Sequence, residues 1–271
     1  MSASERMRIL FLGDIISKSG RKALAGGLGA LKARHAVDLC IGNVENAAGI
    51  FGITQKVIDE IVACGVDVMT SGNHVWDKRE GLALLESRED LLRPANYPPG
   101  VPGRGFAVRE TRGTPYAVIN LQGRTFMTPI DCPFRSADAI LSDIPPGVKI
   151  ILVDFHAEAT SEKQALAAYL DGRVSALVGT HTHVQTADER VLPGGTGFIT
   201  DVGMVGPIDS VIGVRKEQVI ERFMRALPVR FEVGEGAACI GGLLVDVDDA
   251  TGRAREVVRV REEIEIHEEQ S

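Results

Sequence analysis

The sequence predicts an α/β fold. Two mixed β-sheets pack against each other with helices on the outside, a four-layer αββα arrangement in one domain over residues 1–271. Three observations predict it. Short apolar runs of β type alternate with amphipathic stretches through residues 8–88. After a Pro/Gly-rich connection the rhythm changes to hairpin-like strands, and then a strand–helix–strand unit returns. The C-terminal part reads mainly as antiparallel strands, and no repeat, low-complexity tract or long linker divides the chain.

"RILFLGD" (8–14) is the first strand, and "KALAGGLGALKARH" (22–35) a helix weakened by its glycines. "VDLCIGNVEN" (37–46) is strand then loop. "TQKVIDEIVACG" (54–65) is a helix with a stripe of Val57, Ile61 and Val62, capped by Thr54 and stopped by Gly65. "VDVMTSGNH" (66–74) is strand then loop, and "KREGLALLESR" (78–88) a helix. "LLRPANYPPGVPGRG" reads as a long surface connection. "GFAVRE" and "PYAVINLQG" form antiparallel strands joined at "TRGT". "VKIILVDFH" (148–156) is a buried strand, "SEKQALAAYLDG" (161–172) a helix with Ser161 as its cap, and "SALVGTHTH" (175–183) strand then loop. "GFITDVG" (197–203), "VRFEVGEG" (229–236), residues 238–260 and "EEIEIHE" (262–268) are further strands, and "KEQVIERFMRAL" (216–227) the last helix.

The formal net charge of −7 argues against broad attraction to nucleic acid or to anionic membranes. An anionic substrate stays open, because bound cations reverse the local field. Cys40, Cys64, Cys132 and Cys239 form no CxxC pair and read as free thiols. "MSASERMR" has no apolar core for a signal peptide, and no apolar run approaches a membrane span, so the expected home is cytoplasmic. P-loop, HExxH and GxSxG patterns are absent from the sequence, and "GGLGALKA" lacks the preceding strand that a dinucleotide fingerprint needs.

Five apolar runs end in polar clusters: Asp14; Asn43, Glu45 and Asn46; Asn73 and His74; Asp154 and His156; His181 and His183. Ligands of open α/β sheets gather outside the carboxyl ends of the strands, so the five clusters are expected to converge. Four of the six histidines lie in this set; His35 and His267 sit beside charges and read as solvated. His181 and His183, at i and i+2, would point the same way in extended chain. Oxygen and imidazole donors without Cys suit Mn, Fe, Zn or Co better than Ca, Mg or Cu(I). The donors outnumber one tetrahedral shell, and a carboxylate bridging two ions accounts for them.

The ordered series "GD", "GNVEN", "GNH", "FHAE" and "GTHTH" resembles the calcineurin-like metallophosphoesterases. With "TSGNHVWDK", "RPANYP" and "TDVGMVGP", the set resembles their bacterial YmdB-like branch over residues 8 to about 260. The resemblance implies a cytoplasmic phosphodiesterase for small phosphodiesters, above all 2′,3′-cyclic nucleotides, acting by a metal-bridging hydroxide. It implies Fe or Mn occupancy, with Zn or Co as alternatives, and a homo-oligomer. Asp14 and His183 would hold the first metal, Asn73, His156 and His181 the second, and Glu45 would bridge them. His74 would be the acid at the leaving group. Ile16 stands where the wider superfamily carries a histidine, and Asn46 is the replacement ligand that this departure implies. Thr180 and Thr182 are either orienting groups or structural ones, and Asp201 lines the site or makes a turn. Two rival functions stand beside this reading: a phosphomonoesterase, and a metal-dependent regulator that binds nucleotide or RNA without turnover.

Overall fold

The structure, a computed structural model, describes residues 6–266. His267 and the end of the strand expected over 262–268 lie outside the described residues. The chain opens with β1 (Arg6–Ile15), followed by α1 (Ser17–Ala23), which runs through a π turn (Leu24–Leu28) into α2 (Gly29–His35). Next come β2 (Leu39–Asn43), α3 (Gln55–Ala63), β3 (Val68–Thr70) and α4 (Arg79–Ser87). The second half-structure is β4 (Phe106–Thr111), β5 (Thr114–Gln122), α5 (Pro133–Asp143), β6 (Ile150–His156), α6 (Thr160–Leu170) and β7 (Ala176–Thr180). The short β8 (Arg190–Val191) and β9 (Gly197–Ile199) precede β10 (Met204–Pro207), α7 (Lys216–Arg225) and the hairpin β11 (Ala238–Asp248)–β12 (Ala254–Ile264).

Among the described residues the strands form two mixed six-stranded sheets, β12-β11-β10-β1-β2-β3 and β4-β5-β6-β7-β9-β8. Period-two alternation explains why they stack. In β1, Ile9 and Phe11 face the second sheet, while Leu10 and Leu12 face the helices. In β6, Ile150 and Leu152 turn toward the first sheet, and Ile151, Val153 and Phe155 toward α5 and α6. Each strand thus feeds two apolar layers, and burying a side chain of this size contributes roughly 1.5–3 kcal/mol. This is the αββα order that the sequence predicts. Among the described residues no helix is long and apolar enough to cross a membrane.

Several expectations are corrected. The first helix begins at Ser17, five residues early, and Gly26 and Gly27 sit in the π turn, where Gly27 leaves room for Ile264. In α3 the buried stripe is Val57, Ile58 and Ile61, and Val62 is exposed. The helix α5 is an addition to the predicted elements, although Pro133 at its first turn and buried Ala137 and Ile140 mark it. Ala159, not Ser161, occupies the N-cap of α6. Residues 229–236 form no strand; only Val233 bridges to Val214. The Pro/Gly-rich connection is not all surface. Leu91, Leu92 and Asn96 are buried, and the Asn96 amide nitrogen donates to the carbonyls of Gln122 and Asp131. His35 is half-buried at the end of α2 rather than solvated, and the four cysteines are free, as the sequence suggests.

Candidate metal centre

The parallel strands β1, β2 and β3 of one sheet and β6 and β7 of the other deliver their carboxyl ends to one place. The β1–β2 ladder shifts register between Leu12 and Asp14, and such a bulge re-aims the side chain that follows it. Asp14 is fully buried there. Its Oδ2 accepts the backbone N–H of His181 at 3.0 Å, while Oδ1 has no hydrogen-bond partner. After β2, Asn43 Oδ1 accepts the N–H of Glu45 and fixes the loop. Glu45 Oε1 lies 3.0 Å from His156 Nε2, and Oε2 accepts the His74 N–H at 2.9 Å. Asn46 donates its amide to the Ile50 carbonyl, and its buried Oδ1 is left without a partner. Gly72 passes so close to the His156 ring that a Cβ there would sit 2.1 Å from it.

Around His156 Nε2 stand Glu45 Oε1 at 3.0 Å, His181 Nδ1 at 3.0 Å and Asn73 Oδ1 at 3.2 Å. Glu45, His156 and His181 therefore form a His/Glu cluster that could hold a metal ion. On the other side, His183 Nε2 faces the orphaned Asp14 Oδ1 at 3.7 Å.

The three imidazoles share one logic. The Thr180 hydroxyl gives its single proton to Asp154 Oδ1 at 2.7 Å, so it accepts from His156 Nδ1 at 2.9 Å. His181 Nε2 reaches Glu158 at 3.2 Å, and His183 Nδ1 donates to the Ile212 carbonyl at 2.8 Å. Each ring is thereby anchored through one nitrogen and turns the lone pair of the other toward Asp14, Glu45 and Asn73. Outer oxygens fix metal-binding histidines in this manner. Lone pairs facing the Glu45 and Asn73 oxygens and the unpartnered Asp14 Oδ1 repel them unless a cation lies between, so the residues fit a metal.

The electrostatics of the cluster agree. Burial alone would lower His156, but Glu45 and then Asp14 and Asp154 outweigh it and raise the ring to about 9. Burial would raise Glu45, but His156 and His74 hold it down at about 2. Burial, and then the neighbouring His156 charge, push His181 down to about 3. Burial pushes Asp14 up, against the pull of His183 and His156. The carboxylates thus draw positive charge to the point where the imidazoles converge.

His74 lies at the rim. Its Nδ1 contacts Asp77 Oδ2 at 2.8 Å, and its ring stacks on Phe51 with centroids 4.0 Å apart. It makes no contact with the cluster through its ring nitrogens; its backbone N–H touches Glu45.

The sequence-predicted residues Asp14, Glu45, Asn46, Asn73, His74, His156, His181 and His183 are all brought to this one region. The geometric reason given for the histidine pair is corrected, however. Residues 181–183 are not extended: His181 and His183 have φ of +97° and +64°, and their rings serve opposite ends of the cluster. Non-glycine residues held at positive φ are costly, and such strain concentrates at functional sites.

Asp201 does not line the mouth. It is fully buried, and its Oδ2 accepts from Lys163 Nζ at 2.7 Å, from the Thr182 hydroxyl at 2.7 Å and from the Thr182 N–H. This pins the strained histidine loop, and Thr182 is an orienting group only through it. Asp154 likewise serves from behind: it accepts from Thr70, Thr180 and Asn43. Lys163, Glu158, Asp77 and Phe51 join the site without having been predicted for it. Lys163 was findable, because it shares the buried face of α6 with Leu166, Ala167 and Leu170. A lysine on an apolar stripe demands a buried carboxylate partner. Lys163→Met should therefore destabilise the fold by about 3–5 kcal/mol, the scale for stranding one member of a buried pair. Thermal unfolding measures it; an unchanged midpoint would show that the pair is dispensable.

The family model for YmdB-like protein matches residues 10–260. The chain belongs to the YmdB-like family. A family relative from Bacillus subtilis (strain 168), 2′,3′-cyclic-nucleotide 2′-phosphodiesterase, is 48% identical over 254 residues, which is 94% of this chain and 96% of the relative. Two solved structures share the YmdB-like fold. A hypothetical protein from Thermus thermophilus superposes with a TM-score of 0.90 at 42% identity, covering 95% of this chain and 99% of that one. A novel phosphatase from Mycoplasma pneumoniae superposes with a TM-score of 0.91 at 34% identity, covering 97% and 95%.

Proposed function

We propose that this chain is a dinuclear transition-metal phosphodiesterase that hydrolyses 2′,3′-cyclic nucleotides at the 2′ ester bond. The observation that carries it is the set of three anchored imidazoles with lone pairs turned toward the Asp14 and Glu45 carboxylates. The 48% identity to the B. subtilis cyclic-nucleotide phosphodiesterase supports the substrate class. Asn73, His156 and His181 would hold one ion, Asp14, His183 and Asn46 the other, with Glu45 shared. The unpartnered Asn46 Oδ1 supports its place in the shell where the superfamily's histidine is missing. The oxygen-rich donor set favours Fe or Mn, with Zn and Co as alternatives.

Two such ions, when bound, activate water and withdraw charge from the phosphoryl oxygens. The chain's own residues do the rest. Thr180, Glu158 and the Ile212 carbonyl orient the imidazoles; Asp154 and Asp201 hold those supports in place from the interior. His74, steadied by Phe51 and Asp77, is placed to give a proton to the departing alkoxide. A panel of cyclic nucleotides, linear dinucleotides and phosphomonoesters, assayed with Mn and with Fe, tests the reading. Nucleoside 3′-phosphate from the cyclic substrate is the expected product. Inorganic phosphate alone would make it a monoesterase, and no product at all would favour the non-catalytic regulator.

A further inference from the structure

Beside the candidate metal centre lies a cavity of about 130 Å³. Asn46 and His183 line it, and the rest of its lining is apolar: the aliphatic Ile16, Ile50, Ile212 and Val214, and the aromatic Phe51 and Phe231. An apolar cavity of about 150 Å³ takes one benzene ring, so this one matches a single flat ring in volume. The walls are also unfinished. Phe51 and Ile212 are 43% and 49% exposed although they flank a buried polar centre. Large apolar side chains left open beside a site are surface that a ligand covers.

The cavity is mechanically tied to the metal centre. Ile212 sits at φ +49°, a conformation that β-branched residues rarely adopt. That conformation lets its carbonyl hold His183 Nδ1 while its side chain forms a cavity wall. Phe51, also in the lining, stacks on His74. Phe231 is braced from outside by the Arg222 guanidinium, 5.3 Å from its ring centroid. One cavity thus adjoins both the proposed first metal position and the proposed acid.

We infer that this cavity receives the base of a pyrimidine nucleotide and selects it by size rather than by hydrogen bonding. This rests on the reading of His74 as the acid at the 2′ oxygen. The carbon bearing that oxygen is bonded to the carbon bearing the base, so a base must lie on the His74 side, against Phe51. A pyrimidine is one ring; a purine would leave its second ring outside the cavity. The lining leaves no side-chain group for a base edge: the Asn46 amide N–H is engaged by Ile50 and His183 Nδ1 by Ile212, while Asn46 Oδ1 and His183 Nε2 are the proposed ligands of the first metal. Cytosine and uracil should therefore be treated alike.

Binding to the Mn-loaded protein tests this by calorimetry, with cytidine 3′-phosphate, uridine 3′-phosphate, adenosine 3′-phosphate and the base-less methyl ribofuranoside 3-phosphate. Both pyrimidine nucleotides should bind about tenfold or more tightly than the base-less compound, the scale of stacking one base on an aromatic side chain. Adenosine 3′-phosphate should fall between them. Val214→Phe, which fills the cavity, should bring the cytidine-to-base-less ratio close to one. Phe231→Ala, which removes a wall, should lower the same ratio and serves if the first variant does not fold. A ratio near one in the parent protein, a ratio unmoved by the variants, or a purine bound as tightly as the pyrimidines would overturn the inference. Turnover is a separate readout. A protein that keeps the affinity ratio but does not cleave cyclic nucleotides would sink the proposed activity and leave the cavity's assignment standing.

Discussion

Replacing His156 by alanine should strip metal from one position of the centre and lower turnover by about three orders of magnitude or more, since the ions would supply several kcal/mol of transition-state stabilisation. The ring is the hub of one side of the cluster: its Nε2 lies within 3.2 Å of Glu45, Asn73 and His181 donors. Nothing nearby can replace it, because Gly72 and the buried Asp154 network close off the space behind. Glu45→Gln should act differently. It keeps the size and the acceptor for the His74 N–H but loses the charge. If Glu45 is shared as proposed, the change should reduce occupancy at both positions, whereas His156→Ala should spare the Asp14–His183 side. Metal content per chain, measured on both variants alongside kcat, separates the two patterns. Two tightly held ions in Glu45→Gln would refute the bridge, and two in His156→Ala would refute the hub.

His74→Ala should slow cyclic-nucleotide hydrolysis by roughly 10²–10⁴-fold, the usual loss for a general acid. A ribose alkoxide is a poor leaving group and needs a proton; a nitrophenolate does not. Imidazole is the side chain suited to passing protons near neutral pH. Hydrolysis of a nitrophenyl phosphodiester should therefore suffer much less, with the metal content unchanged. The ring's half-buried rim position, against Phe51 and Asp77, suits it to touch substrate without binding metal. Equal losses on both substrates with metals intact would remove His74 as the acid and leave it a loop-packing or phosphate-contacting residue.

Much of this was legible in the chain. The unbroken apolar runs in "RILFLGD" and "KIILVDFH" announce strands that bury both faces, because successive side chains must point oppositely. The same runs end in the polar residues that meet in the centre, since parallel strands deliver their carboxyl ends to one side. Two elements are misread from the sequence. The helix α5 carries a helical apolar spacing (Ala137, Ile140) but sits in a Pro-flanked stretch between strands, and residues 229–236, β-like in composition, stay irregular because only Val233 finds a bridging partner.

The sequence by itself determined the two-sheet fold, the donor types and their order, because these follow from the succession of apolar strand runs and amphipathic helices and from which side chains can donate to a metal. Tertiary structure alone decided which nitrogen of each histidine faces the cluster. That choice depends on Thr180, Glu158 and the Ile212 carbonyl, and the last of these lies 29 residues from the ring it holds. It also decided that Lys163 and Asp201 meet in the core 38 residues apart, and that Asp14 Oδ1 and Asn46 Oδ1 are left without partners. Spacing carries no record of such contacts, because a hydrogen bond is made by whichever groups the packed backbone brings within about 3 Å, however far apart they lie along the chain.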